Sequence, residues 1–292
     1  MKTEFRDLNG QPFCIRSWGD PSLPPLLMLH GFPEFGAAWG DLAPFLSDQF
    51  HCIAPDQRGF GQSWAPEGSQ NYALQALVSD MVSLIDQIGA PVKVLGHDWG
   101  AAVAYGLAMF QPQLVDRLII ANGVHPVPFQ RALAAGGAQS EASQYIHLLR
   151  SDAAVSPLSA NNFAKLEKFF RHGMGRDWLS DQAMTAYRTE WARPGRLQAM
   201  LNWYRASPLV IAEPGQPCTD VPELPLDRLR VTCPHLLIWG ADDVALLPEA
   251  TENLEDFAPR LTRISIADAD HWLHHQQPET VAQAILDWEP DA

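Results

Sequence analysis

The sequence predicts an α/β protein: a doubly wound, mostly parallel β-sheet with a helical cap inserted into it. Three observations carry that prediction. Short apolar runs such as Pro25-Leu26-Leu27-Met28-Leu29 and Val92-Lys93-Val94-Leu95 have the composition of strands buried on both faces. These runs alternate with segments of helical period, the pattern of parallel βα units. The alternation stops at Gly123 and resumes at His235. The chain therefore divides into residues 1–124, the first part of the sheet domain, residues 125–230, the cap, and residues 231–292, which complete the sheet domain.

Residues 3–18 read as a hairpin turned at Asn9-Gly10, a pair suited to positive φ. Strand Pro25-Leu26-Leu27-Met28-Leu29 follows, then helical spacing from Ala37 to Leu46, then strand His51-Cys52-Ile53-Ala54. From Tyr72 to Ile88 the apolar positions Leu74, Leu77, Val78, Met81, Leu84, Ile85 and Ile88 recur at three and four. That is one amphipathic helix, ended by Gly89-Ala90-Pro91. Strand 92–95 leads through a tight turn into a helix from Ala101 to Phe110, whose small residues permit close approach to a sheet. Arg117-Leu118-Ile119-Ile120-Ala121 is the next strand. The cap enters loosely through Pro126, Pro128, Gly136 and Gly137. Its middle is helical and aromatic, and it leaves through Pro208, Pro214, Pro217, Pro222 and Pro225. Strands resume at 235–239 and 262–266, and a last helix runs from about Pro278 to Trp288.

With 292 residues, 47% of them hydrophobic, the chain can build a substantial core. A net charge of −14 without a basic tract argues against a nucleic-acid partner. No apolar stretch approaches the roughly 20 residues of a membrane span, and Met1-Lys2-Thr3-Glu4-Phe5 begins no secretory signal. Cys14, Cys52, Cys218 and Cys233 form no C-x-x-C pair and have no zinc spacing. A reducing, cytoplasmic location is expected. A homodimer is compatible with the sequence, which does not set the oligomeric state.

Three candidate catalytic residues each follow a predicted strand, the edge at which open α/β sheets bind ligands. Asp98 lies in Gly96-His97-Asp98-Trp99-Gly100, a strand-to-helix turn of the kind that presents a nucleophile. Asp243 lies in Gly240-Ala241-Asp242-Asp243, and His271 in Asp268-Ala269-Asp270-His271-Trp272. Their order, nucleophile then acid then histidine, is that of a hydrolytic triad. Taken singly, each is an ordinary turn, cap or loop residue; in this order, each after its own strand, they point to one site. Asp242 is the alternative acid, and His274 and His275 are alternative histidines. An aspartate in the nucleophile's place decides the chemistry. Attack on an acyl carbon would give a reactive anhydride, whereas attack on a saturated carbon gives a stable ester. Serine-type esterase action is therefore disfavoured.

The chain resembles the epoxide hydrolase branch of the α/β-hydrolase fold family over nearly its whole length. The matching pieces are His30-Gly31-Phe32-Pro33-Glu34, Asp56-Gln57-Arg58-Gly59-Phe60-Gly61-Gln62-Ser63, the Asp98 turn, Trp239-Gly240-Ala241-Asp242-Asp243, and His271-Trp272. The resemblance implies an oxyanion hole from the backbone N–H groups of Phe32 and Trp99, with Pro33 fixing the loop. Leu201-Asn202-Trp203-Tyr204-Arg205 looks like the segment carrying one lid tyrosine. Gln144-Tyr145-Ile146-His147-Leu148 looks like the other, with Tyr187 in reserve. Two phenols can polarise an epoxide oxygen and protonate the alkoxide as the ring opens. The implied substrate is a small hydrophobic epoxide, which contacts Tyr145, Tyr204, Trp99 and Phe32 and is opened with water, without a cofactor. The identity of the epoxide and the stereochemistry of opening are not legible.

The nearest rival is a dehalogenase using the same aspartate. Trp99 matches a halide-binding position of haloalkane dehalogenases, but Phe32 stands where many of them carry asparagine. Trp99-Gly100-Ala101-Ala102-Val103 lacks the arginines with which fluoroacetate dehalogenases clamp a carboxylate. A non-catalytic binding protein of this fold need not keep all three triad groups. No metal site is expected: there is no H-E-x-x-H, and His274-His275 by themselves are not a site. Glu34 is read as a loop anchor, Arg58 as an ion-paired scaffold residue, and His97 as a support for the turn.

Overall fold

Eight strands form one sheet in the computed structural model, which describes residues 1–171 and 178–289. In chain order they are β1 (Lys2–Leu8), β2 (Gln11–Trp18), β3 (Pro25–Leu29), β4 (His51–Pro55), β5 (Val92–His97), β6 (Val115–Ala121), β7 (His235–Gly240) and β8 (Leu261–Ile266). They lie side by side as β1-β2-β4-β3-β5-β6-β7-β8. β1 and β2 pair as an antiparallel hairpin, β2 is antiparallel to β4, and the other neighbours are parallel. Asn9 and Gly10 turn the hairpin at φ of 55° and 79°, as a two-residue turn between twisted strands requires.

The continuous apolar runs are explained by burial on both faces. Along β3, Leu27 and Leu29 join one core cluster while Leu26 and Met28 join the other. All four are fully buried, each stabilising the fold by about 1.5–3 kcal/mol relative to exposure. Among the described residues the α-helices are α1 (Ala43–Leu46), α2 (Leu74–Ile88), α3 (Trp99–Phe110), α4 (Pro126–Ala134), α5 (Ala138–Ala142), α6 (Tyr145–Arg150), α7 (Val155–Arg171), α8 (Asp181–Trp191), α9 (Arg196–Ala206), α10 (Leu273–Gln276) and α11 (Pro278–Asp287). α2 buries Leu77, Val78, Met81, Leu84 and Ile85, the stripe its spacing predicts.

The helical spacing from Ala37 to Leu46 does not yield one helix. It forms a 3-10 turn, Gly36–Gly40, and the single turn α1. Pro44 explains the break. Its ring nitrogen cannot donate to the preceding turn, so it is accommodated only where a helix begins. Tyr72 likewise falls in a separate 3-10 turn, Ser69–Tyr72, ahead of α2.

Between Gly123 and β7 the described residues form helices and irregular chain, with no strand. This segment is tied to the sheet domain by specific donors: Trp191 Nε1 to the Pro33 carbonyl at 2.7 Å, Trp203 Nε1 to that of Arg58 at 2.9 Å, and Arg196 to that of Ser63 at 2.9 Å. Arg150, at the end of α6, donates to the carbonyls of Tyr204, Ser207 and Leu209 at 2.9–3.0 Å, fastening α6 to the end of α9. α7 is interrupted at residues 160–163, where Asn161, Asn162 and Phe163 take positive φ. Arg58 is ion-paired as expected, with both oxygens of Asp80 at 2.7 Å. Among the described residues, no helix is long and apolar enough to cross a membrane.

Candidate active site

β5 ends at His97, and Asp98 turns the chain into α3 with φ 50° and ψ −120°. An L-residue is strained there, and such strain persists only where the surroundings enforce it. Gly100 lets the new helix pass the carbonyl of Leu29, which a Cβ would strike. Gly31 leaves room for the Asp98 side chain, which a Cβ at position 31 would overlap. The Phe32 N–H donates to Asp98 Oδ1 at 2.7 Å, and the peptide between Phe32 and Pro33 is cis. Trp99 is the first residue of α3, so its N–H belongs to the group that lacks an intrahelical acceptor.

His271 Nε2 lies 3.7 Å from Asp98 Oδ2, and its Nδ1 lies 2.9 Å from Asp243 Oδ2. Of the two candidate acids, Asp243 faces His271, while Asp242 is exposed. Asp243 accepts from the N–H groups of Ala245 and Leu246 at 2.8 and 2.9 Å, and from Asn122 Nδ2 at 2.5 Å. Burial opposes its charge, but the facing His271 and these donors hold its carboxyl below the usual range. For His271 burial also opposes the charged ring. The Asp243 and Asp98 carboxylates on either side reverse this and hold its pKa well above the ordinary value.

Tyr145 opens α6 and Tyr204 lies in α9, with ring centroids 6.5 Å apart. Tyr204 also packs edge-on against Trp99 and Phe32, each at 5.1 Å. Burial pushes both phenols up, and the charge of Asp98 adds to this. Asp98, His271, Phe32, Tyr145 and Tyr204 line a single cavity of about 430 Å³, closed on other sides by Phe169 and Trp272. Its rim carries the exposed residues Glu141 and Lys168. The walls are otherwise largely apolar or aromatic, as in sites for small apolar ligands.

The structure brings Asp98, Asp243, His271, Tyr145, Tyr204, Phe32 and Trp99 together. Tyr187 lies elsewhere: its hydroxyl donates to Glu34 Oε1 at 2.8 Å. His274 and His275 also face Glu34 rather than Asp98. His97 supports the turn through Nε2, which is 2.8 Å from the His271 carbonyl. Asn122 escaped the sequence reading. It follows β6, and its side chain joins Asp243 to the Gly240 N–H, the latter at 2.7 Å. A polar residue directly after an apolar strand, at the edge already carrying Asp98 and Asp243, was the available signal.

The α/β hydrolase fold family matches residues 24–278. The chain belongs to that family; it is a hydrolase of the epoxide-hydrolase-like kind. It is 32% identical to the AB hydrolase superfamily protein YfhM of Bacillus subtilis (strain 168), covering 99% of this chain and 98% of that one. It is also 32% identical to human epoxide hydrolase 4, over 95% of this chain and 75% of the relative. Among solved structures, one described as a novel epoxide hydrolase from metagenomes of hot environments superposes with a TM-score of 0.86 at 34% identity, covering 98% of both chains. The Bacillus megaterium epoxide hydrolase solved with an inhibitor gives 0.85 at 27% identity, over 97% of this chain and 99% of that one.

Proposed function

We propose that this protein hydrolyses a small hydrophobic epoxide to a vicinal diol through an ester on Asp98. One observation carries the reading: two neighbouring tyrosines and a carboxylate line the same cavity, with a histidine–carboxylate pair beside the carboxylate. The relatives' names support the substrate class.

The Phe32 N–H holds Asp98 Oδ1, so Oδ2 is the attacking atom. It forms a bond to a ring carbon as the carbon–oxygen bond breaks, and Tyr145 and Tyr204 supply the proton to the departing alkoxide. Ester formation neutralises Asp98 and removes one of the two charges that hold His271 protonated. The imidazole then passes its extra proton to the phenolate left by ring opening and becomes a base at the stage that needs one. It takes a proton from water, whose oxygen attacks the Asp98 carbonyl carbon. Negative charge develops on Oδ1, against the N–H groups of Phe32 and Trp99. Collapse breaks the bond to Oδ2, which leaves in the diol, and His271 returns the proton to it. The water oxygen stays in Asp98, and the water's second proton passes from that carboxyl to His271, which restores the starting state.

The two tyrosines that share the cavity with Asp98 support epoxide opening over halide capture. The buried or half-buried free cysteines support a reducing, cytoplasmic setting. The test is a His271→Gln variant incubated with styrene oxide. The expected result is an adduct of one substrate mass on the peptide containing Asp98, with diol formation by wild type. A bromoalkane control that released halide faster than the epoxide gave diol, or turnover by the variant without adduct, would count against the proposal.

A further inference from the structure

A second cluster of titratable groups lies outside the cavity and has no part in the steps above. Glu34, in the loop after β3, has a fully buried side chain. Its Oε1 is 2.8 Å from His275 Nε2, and its Oε2 is 3.3 Å from His274 Nε2 and 3.6 Å from His97 Nδ1. Two of these rings have the other nitrogen engaged. His97 Nε2 faces the His271 carbonyl at 2.8 Å, and His275 Nδ1 faces Asp41 Oδ2 at 2.7 Å. A nitrogen facing a carbonyl or carboxylate oxygen must donate. A neutral His97 ring therefore turns a lone pair toward Glu34 Oε2, an acceptor toward an acceptor, whereas Oε1 is met at hydrogen-bond distance by His275 Nε2 and the Tyr187 hydroxyl. Glu34 Oε2, His97 Nδ1 and both nitrogens of His274 are buried without a hydrogen-bond partner, an arrangement that calls for a bound group.

We propose that Glu34, His274 and His275, with His97 beside them, bind one divalent transition-metal ion of the zinc class. The ligand atoms of Glu34, His274 and His275 lie within 4.8 Å of one another. Tetrahedral bonds of about 2.0–2.1 Å place neighbouring ligand atoms about 3.3 Å apart. The 3.3 and 3.6 Å separations around Oε2 approach that spacing and are long for hydrogen bonds. Metal-bound imidazoles pass their other N–H to a carbonyl or carboxylate, as His97 and His275 do here. Imidazole with one carboxylate selects zinc, cobalt, nickel or copper over magnesium or calcium. A second cavity of about 190 Å³, lined by Asp41, His275 and Tyr187, gives a route to the cluster. The ion's role is structural: it joins the loop after β3 to α10 and, through His97, to the main chain of His271.

The experiment is a titration of the untagged, chelator-treated full chain with cobalt(II), followed by visible absorption and by melting temperature. One equivalent should produce ligand-field bands of tetrahedral intensity, displaced by zinc, with a rise in melting temperature. Asp41→Asn changes a half-exposed side chain and should weaken binding about 10- to 100-fold. His274→Gln should remove it; if that variant does not fold, Asp41→Asn decides. An unchanged spectrum and melting temperature in excess cobalt would overturn the site and leave a protonated histidine–carboxylate cluster. Binding equally tight in Asp41→Asn would place the ion elsewhere and overturn it as well.

Discussion

Asp98 and Glu34 are both carboxylates set beside imidazole rings, yet one opens on a cavity and the other is enclosed. Asp98 keeps 15% of its side chain exposed, and the nearest ring nitrogen, that of His271, stands 3.7 Å from Oδ2. Its lone pairs open on a cavity. Glu34 has no exposure, and both of its oxygens are faced by histidine nitrogens. The comparison teaches that surroundings, rather than residue type, separate the carboxylate we propose as nucleophile from an enclosed one. An attacking oxygen needs an open approach and room for the carbon it attacks.

The largest expected effect distinguishes these two groups directly. Asp98→Asn should lower kcat/KM for a small epoxide by about 10⁴- to 10⁶-fold. Glu34→Gln should lower it by no more than about tenfold and show its cost in melting temperature instead. Equal kinetic losses would erase the distinction. Next come the phenols. Tyr204→Phe and Tyr145→Phe should each cost about 10²-fold in the rate of ester formation, and the double variant more, read as single-turnover kinetics. A fully active double variant would take the ring oxygen away from them.

A smaller loss is expected from Asn122→Ala, which deprives the buried Asp243 of one donor. About 1–2 kcal/mol, or roughly 5- to 30-fold in kcat, should follow. The acid limb of the kcat profile should move to higher pH, because a carboxylate with fewer donors is harder to ionise. An unmoved limb would make Asn122 a packing residue only.

The smallest effect is on stability. His271 is raised above its ordinary 6.5 and Asp243 lowered below its ordinary 3.8. The stabilisation from His271 is complete below pH 6.5 and is lost as pH rises through its higher folded-state value. That from Asp243 is complete above 3.8 and is lost as pH falls through its lower one. Melting temperature should therefore decline on the alkaline side, and His271→Gln should flatten that decline. An unaltered alkaline slope would mean that the pair contributes nothing to folding.

Much of this was legible in the residues. The strands announced themselves because burial on both faces demands unbroken apolar runs. The turn at Asp98 was visible because the close approaches at positions 31 and 100 admit only glycine. The three candidate residues Asp98, Asp243 and His271 could be picked out because each sits one short step beyond its own strand. The split of Ala37–Leu46 was harder, since apolar spacing alone does not register that Pro44 lacks a donor.

Other features belong to the tertiary structure. Tyr145 and Tyr204 lie in separate helices, which the Arg150 clasp fastens together so that both rings line one cavity. Tyr187, similar by composition, is turned toward Glu34. The Glu34–His97–His274–His275 cluster draws on three separate stretches of chain, so the histidine pair alone could not announce it. Local pattern determines which segments are strands, turns and helices, because backbone and burial preferences act over a few residues. Which distant side chains meet is decided by how the helices pack on the sheet, through contacts that no short stretch of sequence contains.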